Sequence, residues 1–320
     1  MKIIPYTEDW KEKWDNFVLE SNNGTMFHMQ RFFDYHKPGK FSFNHLMFVE
    51  NNKLVAVLPG AIVDNNIYES PIGASYGSIV TGDVKFKDAL EIVDTLIEYG
   101  KTNGIKEFLL TSAPSIYEKI PNQNLDFALL WRGFSYSLHY ISSAIRLDPT
   151  TDIITRCSPT IRRNIRKSLK NENIRVEIND RYDEFYPILL DNKSRHNVKP
   201  THSLEDLYKL AELLPDNLKL FMVYLNNKPI AGSSMFFGNN QVAICFYNML
   251  YYDFADYKPI QRVMYEVIKY STEHGYNYVD IGVSQDTKAD NPMTPSMSLI
   301  EFKEKFDAKT TMRNTLQLKL

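Results

Sequence analysis

Asn51-Asn52-Lys53-Leu54-Val55-Ala56 returns further along the chain as Asn226-Asn227-Lys228-Pro229-Ile230-Ala231. An Asn-Asn pair between two apolar runs reads as a hairpin turn, because asparagine tolerates the left-handed backbone such turns need. The likeness continues through Asn65-Asn66 against Asn239-Asn240, then through an amphipathic helix closing on Asn103-Gly104-Ile105 against His274-Gly275-Tyr276. The offset drifts only from 175 to 174 to 171 residues, as small loop deletions in a duplicated unit would make it. The chain therefore reads as two copies of one fold.

A length of 320 residues suits two domains of roughly 150 residues each. The 37 basic against 39 acidic residues leave a net charge of -2, so any attraction to nucleic acid or anionic membrane must be local. The apolar runs fall short of a membrane span, and Met1-Lys2-Ile3-Ile4-Pro5 carries no apolar signal stretch; a cytoplasmic protein without a membrane span is expected. Two cysteines, Cys157 and Cys245, make neither a disulfide framework nor a zinc motif and are expected to be structural thiols, so no metal is called for.

Each copy reads as a hairpin, a helix and a further strand. In the first these are about 45–62, a helix ending near Gly100 and a strand over 107–111. In the second they are 219–237 with a strand over 242–249, a helix over 260–274 and a strand over 276–283. Ser158-Pro159 opens a helix running to about Asn171, and Ser203-Leu204-Glu205-Asp206 opens another as a capping-box variant. The fold class expected is α/β, with mixed α+β sheets, and the segment 146–152 reads as the crossover between domains 1–148 and 149–320, the last strand being free to return to the first domain. No Gly-x-Gly-x-x-Gly follows a strand, which argues against a dinucleotide fold.

The order of these elements resembles the GNAT acyltransferase fold, and the tandem pair resembles the FemABX aminoacyltransferases and the FemAB-like acetyltransferases. The resembling stretches are residues 23–28, 70–77, the basic helix Ile161 to Lys170, 278–282 and 301–306. The resemblance implies N-acyl transfer from acyl-CoA (acetyl-CoA) or aminoacyl-tRNA to a primary amine, such as a nucleotide-linked amino sugar or cell-envelope precursor. Its alternatives are an aminoacyl-tRNA-dependent peptidoglycan-bridge ligase and a noncatalytic binding protein. One stretch departs from the family: Ala255-Asp256-Tyr257-Lys258-Pro259-Ile260, where GNAT enzymes carry a glycine-rich turn for a pyrophosphate, has no glycine and an acid.

The residues that could carry such chemistry follow. On the basic helix, Ile161, Ile165 and Leu169 leave Arg162, Arg163, Arg166, Lys167 and Lys170 on the other faces, within about 15 Å. That is either a solvated face or a contact for donor phosphates. Lys303, in the Phe302-Lys303 pair that the resemblance places in the active site, is either a cation for the developing oxyanion or a surface lysine among Glu301, Glu304 and Lys305. Asp280 stands where the first copy has Leu109, and is a candidate base, amine ligand or structural counter-ion. His196 and Arg195, in the loop 194–202, are a candidate acid/base and a substrate contact, while His28 and Tyr76 could line an acceptor groove. The donor side is expected in the second copy.

Overall fold

The computed structural model describes residues 1–195 and 197–320 as two compact units, 1–140 with 312–320, and 141–311. The first contains β1 (Lys2–Pro5), α1 (Lys11–Glu20), α2 (Gln30–Phe33), β2 (Leu46–Glu50), β3 (Lys53–Leu58), β4 (Ala61–Val63) and β5 (Ile67–Ser70). It continues with β6 (Val80–Thr81), α3 (Phe86–Thr102), β7 (Glu107–Thr111), α4 (Asn124–Trp131) and the start of β8 (Ser135–Arg146). Then come α5 (Ile153–Arg156), α6 (Pro159–Leu169), β9 (Ile174–Asn179), α7 (Tyr182–Ser194), α8 (Leu204–Leu213), β10 (Leu218–Leu225), β11 (Lys228–Phe237) and β12 (Val242–Leu250). The chain ends with α9 (Pro259–Glu273), β13 (Tyr278–Val283), α10 (Met297–Glu304) and β14 (Lys309–Lys319). No helix among the described residues is long and apolar enough to cross a membrane.

The repeat is visible in the backbone. Asn51 and Asn52 have φ of 49° and 63°, and Asn226 and Asn227 have 47° and 66°, the left-handed pair of a tight hairpin turn. Both long helices end alike: Asn103 N–H donates to the Tyr99 carbonyl and His274 N–H to that of Tyr270, each at 3.0 Å. One expectation fails in the first copy, where the returning strand read as 53–62 is broken between β3 and β4 at Pro59-Gly60. Pro59 has no N–H for a ladder, and a side chain at residue 60 would stand 2.6 Å from the Tyr68 ring. The halves of the broken strand join different sheets, in the orders β1-β2-β3-β6 and β4-β5-β7-β14. The first core gathers Phe48, Leu58, Tyr68, Phe108 and Leu110 with Ile92, Val93 and Leu96 of α3 and Leu316 of β14.

In the second unit the strands run β9-β10-β11-β12-β13, and Ser142–Arg146 of β8 line the far edge of β13. β10 is apolar almost throughout because it is covered on both faces. Phe221, Val223 and Leu225 meet α6 and α9 residues, while Leu220, Met222 and Tyr224 meet those of α7 and α8. The capping box read at Ser203 is formed: its hydroxyl accepts from Asp206 N–H at 3.1 Å and its own N–H donates to the Asp206 carboxylate at 2.8 Å. Ser203→Ala should therefore lower stability by about 1 kcal/mol in urea unfolding.

Candidate active site

Parallel β12 and β13 pair only from Val242–Ile244 to Tyr278–Asp280, although β12 runs on to Leu250. Beyond Ile244 the β13-facing edge of β12 has no partner strand among the described residues, so its backbone groups can receive an extended ligand as a strand would. A bulge shapes this stretch: Ser234 faces Tyr247 and Met235 faces Cys245, which leaves Phe246 as the extra residue.

At the end of β13 the sequence places a polar cluster. Asp280 is 0 % exposed, accepts from Gly282 N–H at 2.7 Å and lies 3.3 Å from the Ser142 hydroxyl. Gly282 has φ 75°, a turn that a side chain would strain, and the carbonyls of Gly282 and Val283 both accept from Lys303 Nζ, at 2.7 and 2.9 Å. Lys303, on α10, is 5 % exposed, and burial lowers its pKa to about 8 in spite of the opposing pull of Asp280. Two of its three N–H donors are thus committed. Cys245 joins the cluster with its sulfur 3.2 Å from the Ser233 hydroxyl, and burial raises its thiol to about 11. It stays protonated at neutral pH, as does Cys157, also raised to about 11 by burial.

The basic helix divides. Arg162 turns inward, donating to the carbonyls of Thr155 and Cys157 at 2.9 and 3.1 Å, which makes it a brace for the preceding loop. Arg163, Arg166, Lys167 and Lys170 line an open groove and have no ion-pair partner among the described residues. Lys167 and Lys170 also share a groove with Asp256 and Tyr257, just before α9. The turn that lacked glycine is made by Lys258 in the left-handed conformation, φ 60°. Cations from α6 therefore stand beside a helix start that carries few of its own, a juxtaposition invisible across some ninety residues of sequence.

The other residues singled out lie apart from this cluster. His28 is buried in the first unit, where Nδ1 accepts from Thr25 N–H at 3.0 Å and Nε2 donates to the Gly77 carbonyl at 2.9 Å. Burial lowers it to about 4, so it is a neutral pin of the 25–28 turn and not a groove-lining group. Tyr76 is likewise buried, between the rings of Phe27 and Tyr117 and under the Arg313 guanidinium. Arg195 pairs with Asp191 at 3.1 Å and stacks on Tyr252. Phe302 packs on Phe306 against the core of the second unit. His196 lies outside the described residues. Its neighbour His202 is buried, with Nδ1 2.9 Å from the Tyr247 hydroxyl, a pairing no sequence signal announced.

Residues 155–291, which hold β12, α9, β13 and most of the groove, match the family described as acetyltransferase (GNAT) domain. This part of the chain is similar to GNAT acetyltransferase domains. The whole chain is similar in fold to FemX, at 13 % identity and a TM-score of 0.73, over 100 % of this chain and 98 % of that one. It is also similar to the C-terminal domain of a putative lysylphosphatidylglycerol synthetase from Agrobacterium fabrum, at 12 % identity and 0.62, over 97 % and 91 %. A tandem GNAT protein from the clavulanic acid biosynthesis pathway aligns at 9 % identity and 0.55, over 99 % and 98 %. These likenesses establish a tandem GNAT and FemX-like fold. No curated protein sequence is significantly similar to the chain.

Proposed function

We propose that this GNAT-type protein is an N-acyltransferase, its second unit holding an activated acyl donor whose acyl group passes to a primary amine. One observation carries the reading: a buried ammonium, Lys303, is clamped by two carbonyls where β13 leaves the edge of β12. The amine attacks the acyl carbon, a C–N bond forms, and the carbonyl electrons move to oxygen. The remaining N–H of Lys303 supplies charge to that oxyanion. Collapse breaks the C–S bond of acyl-CoA or the ester C–O bond of aminoacyl-tRNA, and the departing sulfur or ribose oxygen takes up the proton that the amine loses. Asp280, wholly buried and bonded to Gly282, is a positioning residue that offsets the Lys303 charge rather than a base that touches substrate.

Arg163, Arg166, Lys167 and Lys170 would hold the donor's phosphates. The acceptor in this reading is an amino sugar linked to a nucleotide or a cell-envelope precursor. The exposed basic face favours a second reading in which the donor is aminoacyl-tRNA. Both are tested by thermal shift with acetyl-CoA, longer acyl-CoAs and aminoacyl-tRNA, since a bound ligand raises the melting temperature by mass action. Replacing Arg163, Arg166 and Lys167 together by Glu should abolish the shift, at least about tenfold in affinity. A shift that collapses steeply with salt selects tRNA; one that persists selects acyl-CoA. If no donor shifts the intact chain, the protein is a noncatalytic tandem fold.

A further inference from the structure

A second polar pocket lies wholly within the first unit, at the carboxyl end of β7. Its cavity of about 40 Å³ has room for a few water molecules or a small head group. Asn22, Asn23 and Asn122 line it, but their amides are spent on the chain. Asn22 bonds both backbone groups of Ile120, Asn23 bonds Ile79 and Thr81, and Asn122 bonds Asp83 and Val84. The groups left over have another character. Ser78 and Thr81, 3 % and 4 % exposed, both face the pocket, and neither hydroxyl has a hydrogen-bond partner among the described residues. Asp126, largely buried on α4, has no hydrogen bond or ion pair among the described residues. Glu118 spends one carboxylate oxygen on Asn122 N–H at 3.1 Å. Burial raises both acids, and Glu118 is raised further by the charge of Asp126. Two carboxylates and two hydroxyls therefore converge on one small space, and no Lys, Arg or His is among the described residues that line it.

We propose that this pocket binds a small primary ammonium group carrying a neighbouring hydroxyl, the ammonium held by Asp126 and Glu118 and the hydroxyl by Ser78 and Thr81. Charge-assisted bonds from an ammonium suit acceptor-only carboxylates, and its few atoms suit the volume. A metal ion is less suited, because no group of three or more His, Cys, Asp or Glu among the described residues can hold one. The inference stands apart from the acyl-transfer reading, because binding alone decides it.

The experiment is isothermal titration calorimetry of the full chain with ethanolamine, with neutral ethylene glycol and potassium chloride as comparisons. Ethanolamine should bind once per chain, ethylene glycol should give no binding heat, and potassium should not displace ethanolamine. Asp126→Asn and, separately, Glu118→Gln should each weaken ethanolamine about tenfold or more, while Lys303→Met leaves it unchanged. Two independent variants guard against one that fails to fold. No heat with ethanolamine, equal binding of ethylene glycol, displacement by potassium, or full affinity in both pocket variants each overturns the proposal.

Discussion

Asp280→Asn should destabilise the protein by about 1–3 kcal/mol, because it removes a buried carboxylate whose pull opposes the desolvation of the Lys303 ammonium. The carboxylate has no exposure to solvent and its pull is what opposes the desolvation of Lys303. Asn keeps the shape and can still accept from Gly282 N–H, so the loss reports charge rather than volume. Removing both charges together, as Asp280→Leu with Lys303→Met, should recover most of that loss, since neither charge is then left buried without the other. Urea unfolding of the two single variants and the double variant measures the coupling. A single Asp280→Asn variant as stable as the parent chain would show that the two charges do not depend on each other.

Lys303→Met should lower acyl transfer by about a hundredfold, the scale of losing one donor to an oxyanion. The same substitution has a signature that needs no substrate. Lys303 titrates at about 8 in the folded protein against 10.5 for a free lysine, so between those values the unfolded chain holds the more protons. Its contribution to stability is therefore fully present above about 10.5 and is lost as pH falls through about 8. The melting temperature of the parent chain relative to Lys303→Met should rise between those pH values. A flat difference would mean that the ammonium is not desolvated, and unchanged turnover would remove Lys303 from the reaction.

Local signals explain what could be read without coordinates. The Asn-Asn turns, the Ser203 box and the apolar stripes of α3, α6 and α9 each depend on neighbours within a few residues, and each formed. The tandem GNAT-like fold followed from their order. β8 and α7 escaped notice because neither pattern is locally distinctive: Ser135–Arg146 alternates only weakly, and Pro187 lies inside the helix Tyr182–Ser194. The break at Pro59-Gly60 was likewise missed, since only the ring of Tyr68 and the separate partners of β3 and β4 reveal it.

For the candidate site the division is sharper. The family resemblance marked Lys303, while residue types marked Asp280 and the α6 cations, because an acid in an apolar strand and five close cations are anomalies visible in one dimension. Their standing was decided by folding. Burial turned Lys303 from an apparent surface residue into a desolvated ammonium, sealed Asp280 from solvent and drew Arg162 inward. Burial also fixed His28 as a neutral pin. Periodicity, turns and caps are short-range and belong to the sequence. Desolvation and the meeting of distant charges depend on which segments exclude water from one another, and only the tertiary structure sets that.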